Sequence, residues 1–95
     1  MNSLHEKLLE HYDFKVDEKG NDIYQVKTNE DFPYRIRKNK KDQFVLDQQF
    51  AERSYMKAKW YQQKVADTKE TLLLFIIKRH NKSCNHMTNW KTINI

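Results

Sequence analysis

Three side chains near the C-terminus have the chemistry to hold a metal. His80, Cys84 and His86 fall within seven residues as His-x3-Cys-x-His, and imidazole and thiolate are ordinary zinc ligands. A structural zinc takes four ligands, and a zinc finger draws them from two clusters across a loop. His5, His11 or a carboxylate would have to close the site, and the sequence has no second cluster, so the spacing predicts no metal. Cys84 beside a histidine also has the composition of a nucleophile–base pair, but that chemistry needs a rigid scaffold, and this stretch is rich in Asn, Ser and Thr. Glu6 with Glu10 and Asp17 with Glu18 are paired carboxylates with no apolar pocket to raise a pKa. A single glycine excludes a glycine-rich phosphate loop. The expectation is a protein without catalytic residues, cofactor or small-molecule substrate.

The other chemically capable residues are cations, and they are unevenly spread. Residues 1–34 carry four Lys/Arg against eight Asp/Glu, a net −4; residues 35–95 carry fourteen against five, a net +9. Such asymmetry points to one basic face. Two groups stand out. Arg35, Arg37, Lys38, Lys40 and Lys41 crowd the stretch FPYRIRKNKKDQF, and Arg53, Lys57, Trp60 and Lys64 recur at i, i+4, i+7, i+11. Lys and Arg neutralise phosphates and release counterions, and a tryptophan among cations can stack on a base. Trp60, with Arg53 and Met56 near it, would equally suit a protein interface, where Trp and Arg are favoured anchors. The nine basic and aromatic positions are therefore the candidate contact surface for nucleic acid first, or for a protein target.

These residues must be positioned by secondary structure. Ser3 and Glu6 have capping-box spacing, and Leu4, Leu8 and Tyr12 follow at helical intervals, which predicts a short helix over about 3–12. Turn signals and alternation follow: DFKV, then DEKGND with Gly20, DIYQVKT, NED, PYRIRK, NKKD and QFVLD. They predict a meander of three strands, with a possible fourth. Tyr34, Ile36, Phe44 and Leu46 turn to the core, and Arg35 and Arg37 turn away. Asp47 is then placed to cap a helix over 50–66, whose apolar sector (Phe50, Ala51, Tyr55, Ala58, Tyr61, Val65) lies opposite the Arg53–Lys57–Trp60–Lys64 stripe. Asp67 and Glu70 repeat the capping spacing before TLLLFIIKRH. That segment reads as a final helix or a buried strand, and its capping signal favours helix.

The fold class is thus α+β: a short N-terminal helix, a small antiparallel meander, and one long or two consecutive C-terminal helices packed on one face. Residues 1–80 read as the domain and 81–95 as a polar tail. The charge-broken N-terminus is not a signal peptide, and the longest apolar run, LLLFII, is too short for a bilayer. A cytoplasmic protein with no membrane contact is expected. The helix–strand–strand–strand–helix order over roughly residues 3–66 resembles that of double-stranded RNA-binding domains. It departs from that family at DQQFAER, where a lysine-rich helix start belongs, and in lacking a glycine-rich loop between the first strands. In size and style the chain also resembles small bacteriophage accessory proteins, some of them inhibitors of bacterial defence. That likeness implies a regulatory contact with a host or defence protein.

Overall fold

The computed structural model describes residues 3–27, 32–50, 57–84 and 91–94. A short helix, α1 (Leu4–Leu9), leads into β1 (Tyr12–Val16), β2 (Asp22–Val26), β3 (Tyr34–Lys38), β4 (Phe44–Phe50) and β5 (Lys59–Ala66); α2 (Lys69–Cys84) closes the order. The strands form one antiparallel sheet in sequential order, so each pairs with its neighbours in the chain. The sheet has five strands where the alternation predicts three or four. The element order accordingly departs from that of a double-stranded RNA-binding domain.

Local chemistry explains the turns. The Ser3 hydroxyl accepts the Glu6 N–H at 3.2 Å, which starts α1. Between β1 and β2, the Asp17 carboxylate accepts the N–H groups of Lys19 and Asn21 at 2.9 and 2.8 Å. Those bonds, that to Asn21 foremost, hold the carboxyl below its ordinary range. Gly20 sits at φ 83°, where a side chain is strained. The β3–β4 turn repeats this arrangement. Asn39 Oδ1 accepts from the N–H groups of Lys41 and Gln43 at 2.9 and 3.0 Å, and Asp42 takes the left-handed position at φ 64°. Both are three-residue hairpin loops of the kind that ends in a left-handed residue.

Alternation then sets the two faces. Tyr12, Tyr24, Tyr34, Ile36 and Leu46 turn to one side and bury against Leu8 of α1 and Leu72, Leu73, Ile76 and Ile77 of α2. Phe44 packs against the same core. Helix, not strand, is thus the state of the LLLFII run. It extends past residue 80, and Ile93, returning after the helix, is buried in the same cluster. The Asn81 side chain clamps Ile93 on both backbone groups, donating to its carbonyl at 2.9 Å and accepting its N–H at 2.7 Å.

The predicted helix over 50–66 is corrected. Residues 59–66 are β5, and Asp47, expected to cap a helix, lies in the middle of β4. The helical reading arose because β5 does not alternate in sequence. Its register against β4 shifts between Leu46 and Asp47, so Lys64 opposes Leu46 while Gln62 opposes Asp47. The extra residue breaks the two-residue period, and an edge strand with this interruption imitates a helical stripe.

Candidate functional site

Both helices pack on one side of the sheet, which leaves a second face. Cross-strand register places on it Lys15 of β1, Ile23 of β2, Arg35 and Arg37 of β3, Val45 and Asp47 of β4, and Gln62 and Trp60 of β5. Ile23, Val45 and Asp47 are buried even so, at 5, 1 and 2% exposure. On a face without a described helix, long neighbouring side chains are the means of covering such residues.

Asp47 organises that covering layer. Its Oδ2 accepts three N–H groups: Arg35 Nε at 3.1 Å, Arg35 Nη2 at 2.8 Å and Arg37 Nε at 2.7 Å. The carboxylate is almost inaccessible, while the two guanidinium side chains remain 22 and 33% exposed. One buried anion therefore orients two partly exposed cations, and the trio keeps a net positive charge. A guanidinium has five N–H donors. Among the described residues, Arg37 gives one of them, Nε, to Asp47.

Arg35 does more. It crosses β4 so that its Cζ lies 4.5 Å from the centre of the Trp60 ring on β5. The planar cation is held on one side by Asp47 and lies over the indole on the other, which is cation–π geometry. Trp60 is half-buried. The result is a stacked aromatic and cationic pair beside Arg37, whose side chain is 33% exposed. At the adjoining end of the sheet, Lys40 and Lys41 are exposed in the β3–β4 turn.

The remaining candidates are dispersed. Lys38 points to the helix-bearing side, 3.4 Å from Asp42 and with Nζ 5.1 Å from the Phe44 ring centre. Lys57 is exposed just before β5. Lys64 opposes Leu46, on the face opposite Trp60, with Nζ 5.7 Å from the Phe75 ring centre. The single stripe expected of Arg53, Lys57, Trp60 and Lys64 is therefore not one surface: the bulge sends Trp60 and Lys64 to opposite faces. Arg53 lies outside the described residues.

The helix-bearing side satisfies its polar groups internally. Tyr12 Oη lies 3.1 Å from His80 Nδ1, and His80 Nε2 lies 2.8 Å from the Lys91 carbonyl. A carbonyl only accepts, so Nε2 carries the proton and Nδ1 accepts the tyrosine hydroxyl. Burial is the main cause holding the His80 pKa below its ordinary value, and burial raises those of Tyr12, Tyr24 and Tyr34. Arg79 donates to the side-chain oxygens of Gln48 and Gln63 at 3.2 and 3.0 Å. His80 is thus a packing residue. Cys84 ends α2, and His86 lies outside the described residues. Among the described residues no three His, Cys, Asp or Glu side chains converge as metal ligands, and no helix is long and apolar enough to cross a membrane.

The chain matches no protein-family model, no curated protein and no solved structure. Asp47, expected from the sequence to cap a helix, instead orients Arg35 and Arg37. The signal for it was present: an acid inside the strand-forming run QFVLDQ, across a tight turn from RIR, is placed to meet both arginines once the hairpin closes.

Proposed function

We propose that the protein is a non-enzymatic binding protein whose open sheet face engages nucleic acid. The observation that carries this reading is the Arg35–Trp60 stack on the face opposite both helices. Aromatic rings and guanidinium planes on a sheet surface are the usual platforms for unstacked bases. Stacking of this kind favours single strands, because duplex bases have their faces occupied. Arg37 beside the platform, with Lys40 and Lys41 at the turn, supplies cations for the backbone phosphates. Lys15 extends the positive charge toward β1.

The test is fluorescence anisotropy of a labelled single-stranded oligonucleotide across a salt series. Each phosphate contact on a single strand contributes a slope of about −0.7 in log K against log salt. Replacing Lys40 and Lys41 together with Gln should flatten that slope by about 1.4. An absence of oligonucleotide binding at low salt would overturn the reading.

A second reading, contact with a host or defence protein, is favoured by a different patch. Phe32, Phe50 and Tyr61 form an aromatic row with ring centres 5.4 and 6.0 Å apart, in which Phe32 is 48% and Tyr61 37% exposed. Exposed aromatic groups of this kind suit a protein partner more than phosphate. Phe32→Ser should weaken such a contact and leave oligonucleotide binding unchanged.

A further inference from the structure

Among the described residues, no strand pairs with the outer edge of β1. β1 is the terminal strand of the sheet, and four of its five residues are exposed, Phe14 at 38% and Val16 at 56%. Its backbone direction follows from the bonds at its two ends. Asp17 N–H donates to Asn21 O at 2.9 Å and Lys27 N–H donates to His11 O at 2.9 Å. Both lie on the continuous β1–β2 register, which has no shift. Residues 11, 13, 15 and 17 therefore turn their backbone groups toward β2. By the alternation of an antiparallel ladder, the N–H and C=O groups of Tyr12, Phe14 and Val16 point away from β2, those of Phe14 and Val16 on exposed residues and those of Tyr12 on a residue only 4% exposed.

The side chains along this edge are self-complementary. β1 reads Tyr-Asp-Phe-Lys-Val. An antiparallel second copy centred on Phe14 sets Phe14 against Phe14, Tyr12 against Val16, and Asp13 against Lys15, twice by symmetry. The three outward residues become the hydrogen-bonded pairs. Asp13 and Lys15 take the non-hydrogen-bonded positions, where opposing side chains come closest, about 4.5 Å between Cα atoms. Opposite charges in such cross-strand pairs are stabilising and like charges are not. Edge strands commonly carry charge to repel pairing; here the two charges differ in sign and sit symmetrically about the strand's centre. The opposite edge lacks this property. β5 holds Lys59 and Lys64 with no acid, and the register shift against β4 interrupts it.

We propose that the protein forms a two-fold dimer through β1, joining two five-stranded sheets into one continuous antiparallel sheet. This inference does not depend on the nucleic-acid reading. Sedimentation equilibrium of the full chain over a concentration series tests it, with three variants checked for folding by circular dichroism. The wild type should be a dimer. Phe14→Pro removes an outward N–H that the β1–β2 ladder does not use, and should give a monomer. Lys15→Asp places acid against acid in both symmetric pairs and should raise the dissociation constant roughly tenfold. Asp13→Lys/Lys15→Asp restores opposite charges and should recover the dimer. The proposal is overturned by a wild type that is monomeric up to its solubility limit. It is equally overturned by folded charge variants in which the double swap is no tighter than Lys15→Asp alone.

Discussion

The two faces of this sheet bury strand residues by different means. On the helix-bearing face, apolar side chains of β1 to β4 disappear beneath α1 and α2, and the few polar groups there find internal partners: Tyr12 with His80, Arg79 with Gln48 and Gln63. On the open face, Asp47, at 2% exposure, sits beneath two arginines, one of which lies over a tryptophan. The first face is stabilised by apolar area removed from water. The second is organised by directed, charge-assisted hydrogen bonds, which fix geometry more than they add stability. That surface fixes two arginines, 22 and 33% exposed, and a half-buried indole in place.

The comparison is broken most severely from the helix-bearing side. Ile76→Ala removes a fully buried side chain of α2 and should cost about 2–5 kcal/mol in urea unfolding. Oligonucleotide affinity should be unchanged in whatever fraction remains folded, because α2 does not touch the open face. Asp47→Asn attacks the other face. It leaves Arg35 and Arg37 without their anion, a loss near 3–5 kcal/mol for a fully buried pair. The partial exposure of both arginines reduces that to about 2 kcal/mol. Unlike Ile76→Ala, it should also impair binding, since Arg35 loses the group that aims it at Trp60. Equal effects of the two variants on affinity would erase the distinction between the faces.

A smaller effect comes from pH. Burial holds His80 below the ordinary 6.5, so the unfolded chain binds a proton near that value while the folded chain resists it. The sign follows: stability is fullest above 6.5 and falls as pH drops toward the folded value. The melting temperature should decline over that window. In His80→Gln, whose amide can serve both Tyr12 and the Lys91 carbonyl, the decline should be shallower. An equal decline in both proteins would assign the pH dependence to other groups.

Much of the helix-bearing face was legible in the sequence. Ser3 with Glu6, the turns at Asp17–Gly20 and Asn39–Asp42, and the alternation Tyr34–Arg35–Ile36–Arg37 each determine local structure through neighbours in the chain. The open face was legible only in part. Arg35 and Arg37 were placed correctly by alternation, but their partner is Asp47, and an isolated acid before an amphipathic run reads as a helix cap. Trp60 stands out among cations in the sequence, but it lies on a strand and not on the predicted helix. Its strand owes its existence to pairing with β4, and the register shift at Leu46/Asp47 disguises the two-residue period. Local periodicity records neither a strand pairing nor a bulge. Helical wheel and sheet both turn Trp60 away from the core, but they differ on its companions: Lys57 and Lys64 in one, Arg35 in the other.

That difference is also where the account is most open to test. With Trp90 replaced by Phe, the emission of the full chain reports Trp60 alone. Titration with a single-stranded oligonucleotide at low salt should quench that emission in step with binding, because a base stacked on the Arg35–Trp60 platform contacts the indole directly. Trp60→Ala should then weaken binding by about 1–3 kcal/mol. Saturable binding with Trp60 emission unchanged would place the nucleic acid elsewhere on the molecule and contradict the assignment of the open sheet face.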